Sequence, residues 1–247
     1  MSFNINKKRI YFISFFVCFS ILLYVIMNNI QTKKEYLQAS ATPISNKVIV
    51  IDAGHGLPDS GASSFDGTTE QAINLKLALK LQKIIEQSGA RVILTRSDEN
   101  GIYSTDSTSI RNKKVSDIKN RVEIANGSDA DIVVSIHLNK FSGSSEYKGW
   151  QTFYQKGKKE SSNLANKIQE NLNNNIEENN NRKVLPLTNV YIMDNIEIPT
   201  VIVECGFLSN KEDTENLKKE EYQNKLVWGI YLGIQDYFYN GRMENNE

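Results

Sequence analysis

Cysteine is almost missing from this chain. Only Cys18 and Cys205 occur, and Cys18 lies inside an apolar run, so no intramolecular disulfide is expected and stability has to come from a packed core. A charge surplus is missing as well, because 29 Lys plus Arg offset 29 Asp plus Glu to a net charge of 0. Without a basic excess, nucleic acid is excluded as a bulk electrostatic partner. Histidine is as rare as cysteine, His55 and His137 being the only two, so the placement of each is informative. Neither an HExxH pair nor a cysteine cluster is present, which removes two common zinc signatures. The remaining composition, 40% hydrophobic and 23% charged, is that of a globular chain folding mostly as one domain.

The N-terminus differs from the rest. Lys7, Lys8 and Arg9 precede an uncharged apolar stretch from Ile10 to Met27, the pattern of a secretory h-region or a short membrane span. Ala39-Ser40-Ala41 lies far beyond that stretch for a cleavage signal, so we read residues 1–27 as an uncleaved signal anchor in preference to a cleaved signal peptide, and Cys18 follows Val17 and not a small residue, which argues against a lipoprotein acylation site. A polar linker over 28–46 leads to the folded part. The remainder is then expected outside the cytoplasm.

Lys47 to Asp52 (KVIVID) is a β-branched run that stops at Gly54 and Gly56, which reads as a buried strand and a tight loop. Thr69 to Gln87 carries Ile73, Leu77, Leu81 and Ile84 at helical spacing, with Gly89 as the stop, and Arg91 to Thr95 is the next strand. Together they form a βαβ unit. Arg96 to Ser116 reads as a long surface loop. After it come a helix over Asp117–Asn126, strands over Asp131–Ile136 and Gly149–Tyr154, and a helix over Ser161–Leu172. Between Asn171 and Asn181 seven of eleven residues are Asn, which predicts a solvated loop. Thr200 to Val203 is the last strand, ending at Glu204, and Glu221 to Tyr239 closes the chain as an amphipathic helix. The expected fold is α/β: a single three-layer domain over 47–240, its sheet mixed but mostly parallel with helices on both faces, followed by a tail over 241–247.

Three predicted strands lead into His55, His137 and Glu204. Ligands bind outside the carboxyl ends of strands in open α/β sheets, so these side chains can converge. Glu70 opens the helix after the first strand and starts at the same sheet edge. Two imidazoles and one carboxylate make a catalytic zinc set, and the second carboxylate is then free to act as general base. Asp52, close to His55, is a candidate for orienting an imidazole, although it can equally serve to form the loop. Cys205 follows Glu204 on a strand and must point to the opposite face, which makes it a small core residue.

The stretches IDAGHG (51–56), Glu70, Thr95-Arg96 with Asp98, RVEIAN (121–126), SIHLN (135–139) and PTVIVECGFLSN (199–210) resemble the zinc-dependent N-acetylmuramoyl-L-alanine amidases of the Amidase_3 type. The resemblance covers about residues 47 to 240. It implies Zn2+ held by His55, Glu70 and His137, with Glu204 as the catalytic carboxylate. It implies a peptidoglycan glycan-peptide substrate, cleaved between N-acetylmuramic acid and L-alanine. A bare catalytic domain behind an apolar segment, with no appended wall-binding module, is most similar to the germination-specific cortex amidases of endospore formers. That narrower likeness implies removal of whole stem peptides from spore cortex, action in the forespore or cortex space, membrane attachment through the N-terminal segment, and control by a regulatory protein partner. A vegetative autolysin, another zinc hydrolase such as a peptidase or glycan deacetylase, and an inactive wall-binding protein are the competing readings.

Overall fold

The computed structural model describes residues 13, 15–28, 42–176 and 179–244. Residues 15–28 are helical. No helix among the described residues is long and apolar enough to cross a membrane. The basic cluster at 7–9, most of the 28–46 linker and the last residues of the tail lie outside the described residues. The folded unit begins at Thr42. Ile44 is fully buried, and Thr42 Oγ1 donates to the Ser88 carbonyl at 2.8 Å, so residues 42–46 pack onto the domain.

In chain order the elements are β1 (Val48–Ala53), α1 (Glu70–Gln87), β2 (Arg91–Leu94), α2 (Ile110–Asn126), β3 (Ile132–Asn139), β4 (Gln151–Gln155), α3 (Lys159–Asn175), β5 (Leu185–Leu187), α4 (Tyr191–Asn195), β6 (Thr200–Phe207), α5 (Lys211–Lys218) and α6 (Glu220–Glu244). The six strands form one sheet in the order β2-β1-β3-β6-β4-β5. Only the β4–β6 pair is antiparallel. The sheet is therefore mixed and mostly parallel, as expected.

Strand periodicity sorts the core into two layers. Ile49, Ile51, Ile132, Val134, Val201 and Val203 face one way and pack on α1, α3 and α6. Val50, Val133 and Ile202 face the other way, against Val122 and Ala125 of α2 and Ile192 and Met193 of α4. Cys205 is fully buried in the first layer, and burial pushes its thiol up, which makes it a core residue with no nucleophilic character.

Several boundaries differ from the sequence reading. Helix α2 starts at Ile110, seven positions before Asp117, with the Ser109 side chain capping Asn112 N at 3.1 Å. Its first turns are exposed, Ile110 by 61%, so no apolar stripe marks them. Helix α3 runs on to Asn175, into the asparagine tract. That tract is more than a solvated loop, because Asn173 Oδ1 accepts the indole N–H of the buried Trp150 at 2.8 Å. Strand β6 continues past Glu204 to Phe207, and β3 past His137 to Asn139, so both site residues sit within strands and not at their ends. A register shift between His137 and Asn139 lets pairing resume at Asn139 with Phe207.

Candidate metal centre

Three adjacent parallel strands present their last inward residues on the α2 face. Asp52 of β1 pairs with Ser135 of β3, and His137 of β3 pairs with Glu204 of β6. His55 lies just beyond β1 with φ of 62°, a left-handed conformation that turns its ring back over the sheet edge. Two glycines make room for this. A Cβ on Gly54 would lie 2.4 Å from the His137 ring, and one on Gly61, whose φ is +66°, would lie 2.5 Å from Glu70 Oε2.

Glu70, the first residue of α1, stands between the two imidazoles. Its Oε2 is 3.1 Å from His55 Nε2 and its Oε1 is 3.0 Å from His137 Nδ1. Backbone amides of Ala62 and Leu138 donate to the same carboxylate at 2.8 and 3.1 Å, which fixes its plane. One donor atom from each of the three residues lies within 4.8 Å of the others. Burial alone would raise Glu70, but His137 and His55 outweigh it and hold the carboxyl well below its usual range. Burial would likewise lower His55, yet hydrogen bonds and charge from Asp59 and Glu70 push it up to about 9. The pocket therefore favours a positive charge among these three side chains.

Glu204 faces the same space. Burial pushes its carboxyl up to about 7, with Glu70 adding to the rise and the imidazoles opposing it. Its Oε2 is buried without a hydrogen-bond partner. A buried carboxylate oxygen left unmated is costly and is most simply explained by a partner that arrives with the substrate or ion. A cleft of about 310 Å³ opens beside it, walled by Ile118, Leu187, Val190 and Ile192.

The supporting groups correct one expectation. Asp52 does not touch an imidazole. It accepts from Thr95 Oγ1 at 2.7 Å, Ser135 Oγ at 2.5 Å and Arg121 Nη1 at 2.5 Å, and Arg121 in turn donates to the His55 carbonyl. Its effect on the site passes through the backbone. The carboxylate that holds an imidazole is Asp59, whose Oδ2 is 3.0 Å from His55 Nδ1 and whose Oδ1 is 2.7 Å from Lys114 Nζ. This fixes the ring so that Nε2 faces Glu70. Only its position, four residues after His55 in a glycine-rich loop, hinted at this role. Asp59→Asn should weaken metal affinity by roughly 10- to 100-fold while the fold is retained. Competition with a chromogenic chelator measures it, and unchanged affinity would show that His55 needs no such anchor.

The donor set fits a zinc-type ion: two imidazoles and a carboxylate with one side open to the cleft. Residues 49–236 match the family described as N-acetylmuramoyl-L-alanine amidase. The chain is 33% identical over 232 residues to the germination-specific N-acetylmuramoyl-L-alanine amidase of Bacillus subtilis, covering 94% of this chain and 96% of that protein. It is similar to the solved CwlD amidase from Clostridioides difficile in complex with the GerS lipoprotein, with a TM-score of 0.76 and 46% identity over 78% of this chain and 99% of that one. An N-acetylmuramoyl-L-alanine amidase from Clostridium difficile 630 matches with a TM-score of 0.69 and 28% identity, covering 79% and 98% of the two chains. With its own motifs at the convergence of β1, β3, β6 and α1, and this family's pattern over most of its length, the chain belongs to the N-acetylmuramoyl-L-alanine amidases.

Proposed function

We propose that this protein hydrolyses, with zinc, the amide joining the lactyl carbonyl of N-acetylmuramic acid to L-alanine in peptidoglycan, acting outside the cytoplasm on spore cortex. The observation that carries this reading is the unpartnered Glu204 carboxylate facing the His55–Glu70–His137 cluster. An amide is a poor electrophile with a poor leaving group, so its hydrolysis needs both an activated water and charge stabilisation at the carbonyl oxygen. A zinc ion bound by His55, Glu70 and His137 would supply both, lowering the pKa of water from 15.7 to about 7 and polarising the carbonyl. Glu204 takes the proton of the attacking water and passes it to the departing alanine nitrogen. Asp59 keeps His55 in register, and Ile118, Leu187, Val190 and Ile192 give the cleft beside Glu204 an apolar wall.

The cortex assignment rests on the likeness to the germination-specific amidase and to CwlD. We propose a lipoprotein-type regulatory partner for the same reason, and attachment to the membrane through residues 1–27. Digestion of purified cortex peptidoglycan by the full chain, followed by mass spectrometry of the muropeptides, tests the reaction. Free N-terminal alanine and intact stem peptides should appear. Free acetate would mark a deacetylase, and cleavage within the stem a peptidase.

A further inference from the structure

We propose that the exposed aromatic pair Phe141 and Tyr147 is a carbohydrate platform that holds the glycan strand of the substrate next to the metal centre. The proposal rests on the peptidoglycan reading above and adds to it a second point of contact, remote from the scissile amide.

Phe141 and Tyr147 are 47% and 48% exposed, and their ring centroids are 4.7 Å apart at 73°. Scattered surface aromatics need no explanation, but these two meet edge to face and belong to a packed cluster. Tyr147 lies 6.3 Å from the buried ring of Phe207, and the Arg182 guanidinium sits over both, 4.4 Å from the Phe207 centroid and 5.7 Å from that of Tyr147. The loop carrying the pair is pinned to the segment after β6, where Ser209 Oγ accepts from Phe141 N at 3.1 Å and Asn210 Nδ2 donates to the Ser145 carbonyl at 2.7 Å. Rings held this way present fixed faces and lose little rotamer freedom when something packs on them.

Their place in the fold names the occupant. The loop leaves β3 directly after His137, Leu138 and Asn139, and Phe207 follows Glu204 by three residues on β6. Lys140 Nζ donates to the Ser63 carbonyl at 2.7 Å, one residue from Ala62, whose amide holds Glu70. The platform is thus continuous with the strands and loop that assemble the metal ligands. A glycan strand carries its scissile amides on a repeating polymer, so saccharides on either side of the reacting muramic acid extend past the metal centre onto neighbouring surface. A pyranose ring offers one apolar C–H face, which suits an aromatic ring, and a polar edge of hydroxyl and acetamido groups. The depression beside Phe141, about 470 Å³ and edged by Ser142, Ser144, Ser145 and Ser209, supplies small hydroxyl partners for that edge. Binding energy gained there positions the amide without touching it.

A hexasaccharide of β-1,4-linked N-acetylglucosamine has neither lactyl group nor peptide, so it probes the platform independently of hydrolysis. Titrated calorimetrically into the zinc-loaded full chain, it should bind, and Phe141→Ala with Tyr147→Ala should weaken binding by about tenfold or more. Phe141→Leu with Tyr147→Leu, which keeps apolar bulk and folding but removes the ring faces, should weaken it similarly. Trp228→Ala, an aromatic 45% exposed on α6, should leave it unchanged. On stem-bearing glycan strands the leucine pair should raise KM severalfold with kcat nearly constant. No binding by the native chain, or equal affinity and KM in the leucine pair, overturns the platform. So does a leucine pair that binds sugar normally but loses a protein partner. If the native chain binds the sugar yet releases no stem peptide from glycan strands, the platform stands and the amidase reading fails.

Discussion

Glu204→Gln should leave the metal centre loaded and turnover collapsed. The amide side chain keeps the size and much of the hydrogen-bonding shape of glutamate but cannot accept a proton, so only the chemical step is removed. Loss of a general base costs roughly 10²- to 10⁴-fold in rate. Glu70→Gln should behave differently, because Glu70 is placed between His55 Nε2 and His137 Nδ1 and its charge favours a cation there. Removing a ligand weakens the site itself, so this variant should lose metal as well as activity. Metal analysis of the two purified variants separates them even though both look inactive in a digestion assay. The pH profile gives a second readout. A general base has to be unprotonated to act, and burial raises the Glu204 carboxyl above the ordinary carboxylate range, so the native rate should fall on the acid side as that group takes up a proton. The residual rate of Glu204→Gln should lack that limb. A Glu204→Gln protein without metal, beside a Glu70→Gln protein with both metal and activity, would reverse the two roles.

Arg121→Met should be the most destabilising single change near the site. Arg121 is 3% exposed and its guanidinium joins Asp52, Asp117 and the carbonyls of Ala53 and His55. Deleting it leaves Asp52, itself 1% exposed, as an uncompensated buried charge, which costs about 3–5 kcal/mol. For a domain of this size that lowers the melting temperature by roughly 6–20 °C. The acid side responds as well. Burial would raise Asp52, but Arg121, His137 and hydrogen bonds from Ser135 and Thr95 lower it to about 2. Its contribution to stability is therefore complete above the ordinary carboxylate range and is lost as the pH falls through about 2. In Arg121→Met burial outweighs the remaining partners and raises Asp52, so the acid loss should shrink or reverse, protonation relieving the buried charge. Adding Asp52→Asn to Arg121→Met should recover part of the stability, since the orphaned charge is gone. A melting temperature unchanged by Arg121→Met would show that Asp52 is adequately neutralised by its other partners.

His55, His137, Glu70 and Glu204 were legible in the chain because their residue types are scarce or stand at the ends of β-branched runs, where an α/β sheet collects ligands. The same local signals marked the βαβ unit, the inward face of Cys205 and the closing helix. Other features left no local trace. The first turns of α2 are exposed and carry no stripe, and α4 and β5 are too short for periodicity to register. Asparagine propensity argued against the end of α3, where Asn173 is retained by its tertiary bond to the Trp150 indole. Asp59 carries no local signal of its reach to His55 Nδ1, because the two meet across a loop in which His55 takes a left-handed φ.

Local chemistry was therefore enough to choose the α/β class, the buried faces of the strands and the candidate residues for binding a metal or moving a proton. Hydrophobic alternation and residue type act over a few positions, and those properties are of that range. The strand order β2-β1-β3-β6-β4-β5 is of another kind. It brings His137 beside Glu204, 67 positions further on, and the loop after β1 folds His55 back over Glu70. Spacing within the sequence does not encode such distances. They arise when both faces of the sheet are covered at once, and that packing decided which carboxylate lies between the imidazoles and which one is left unpartnered.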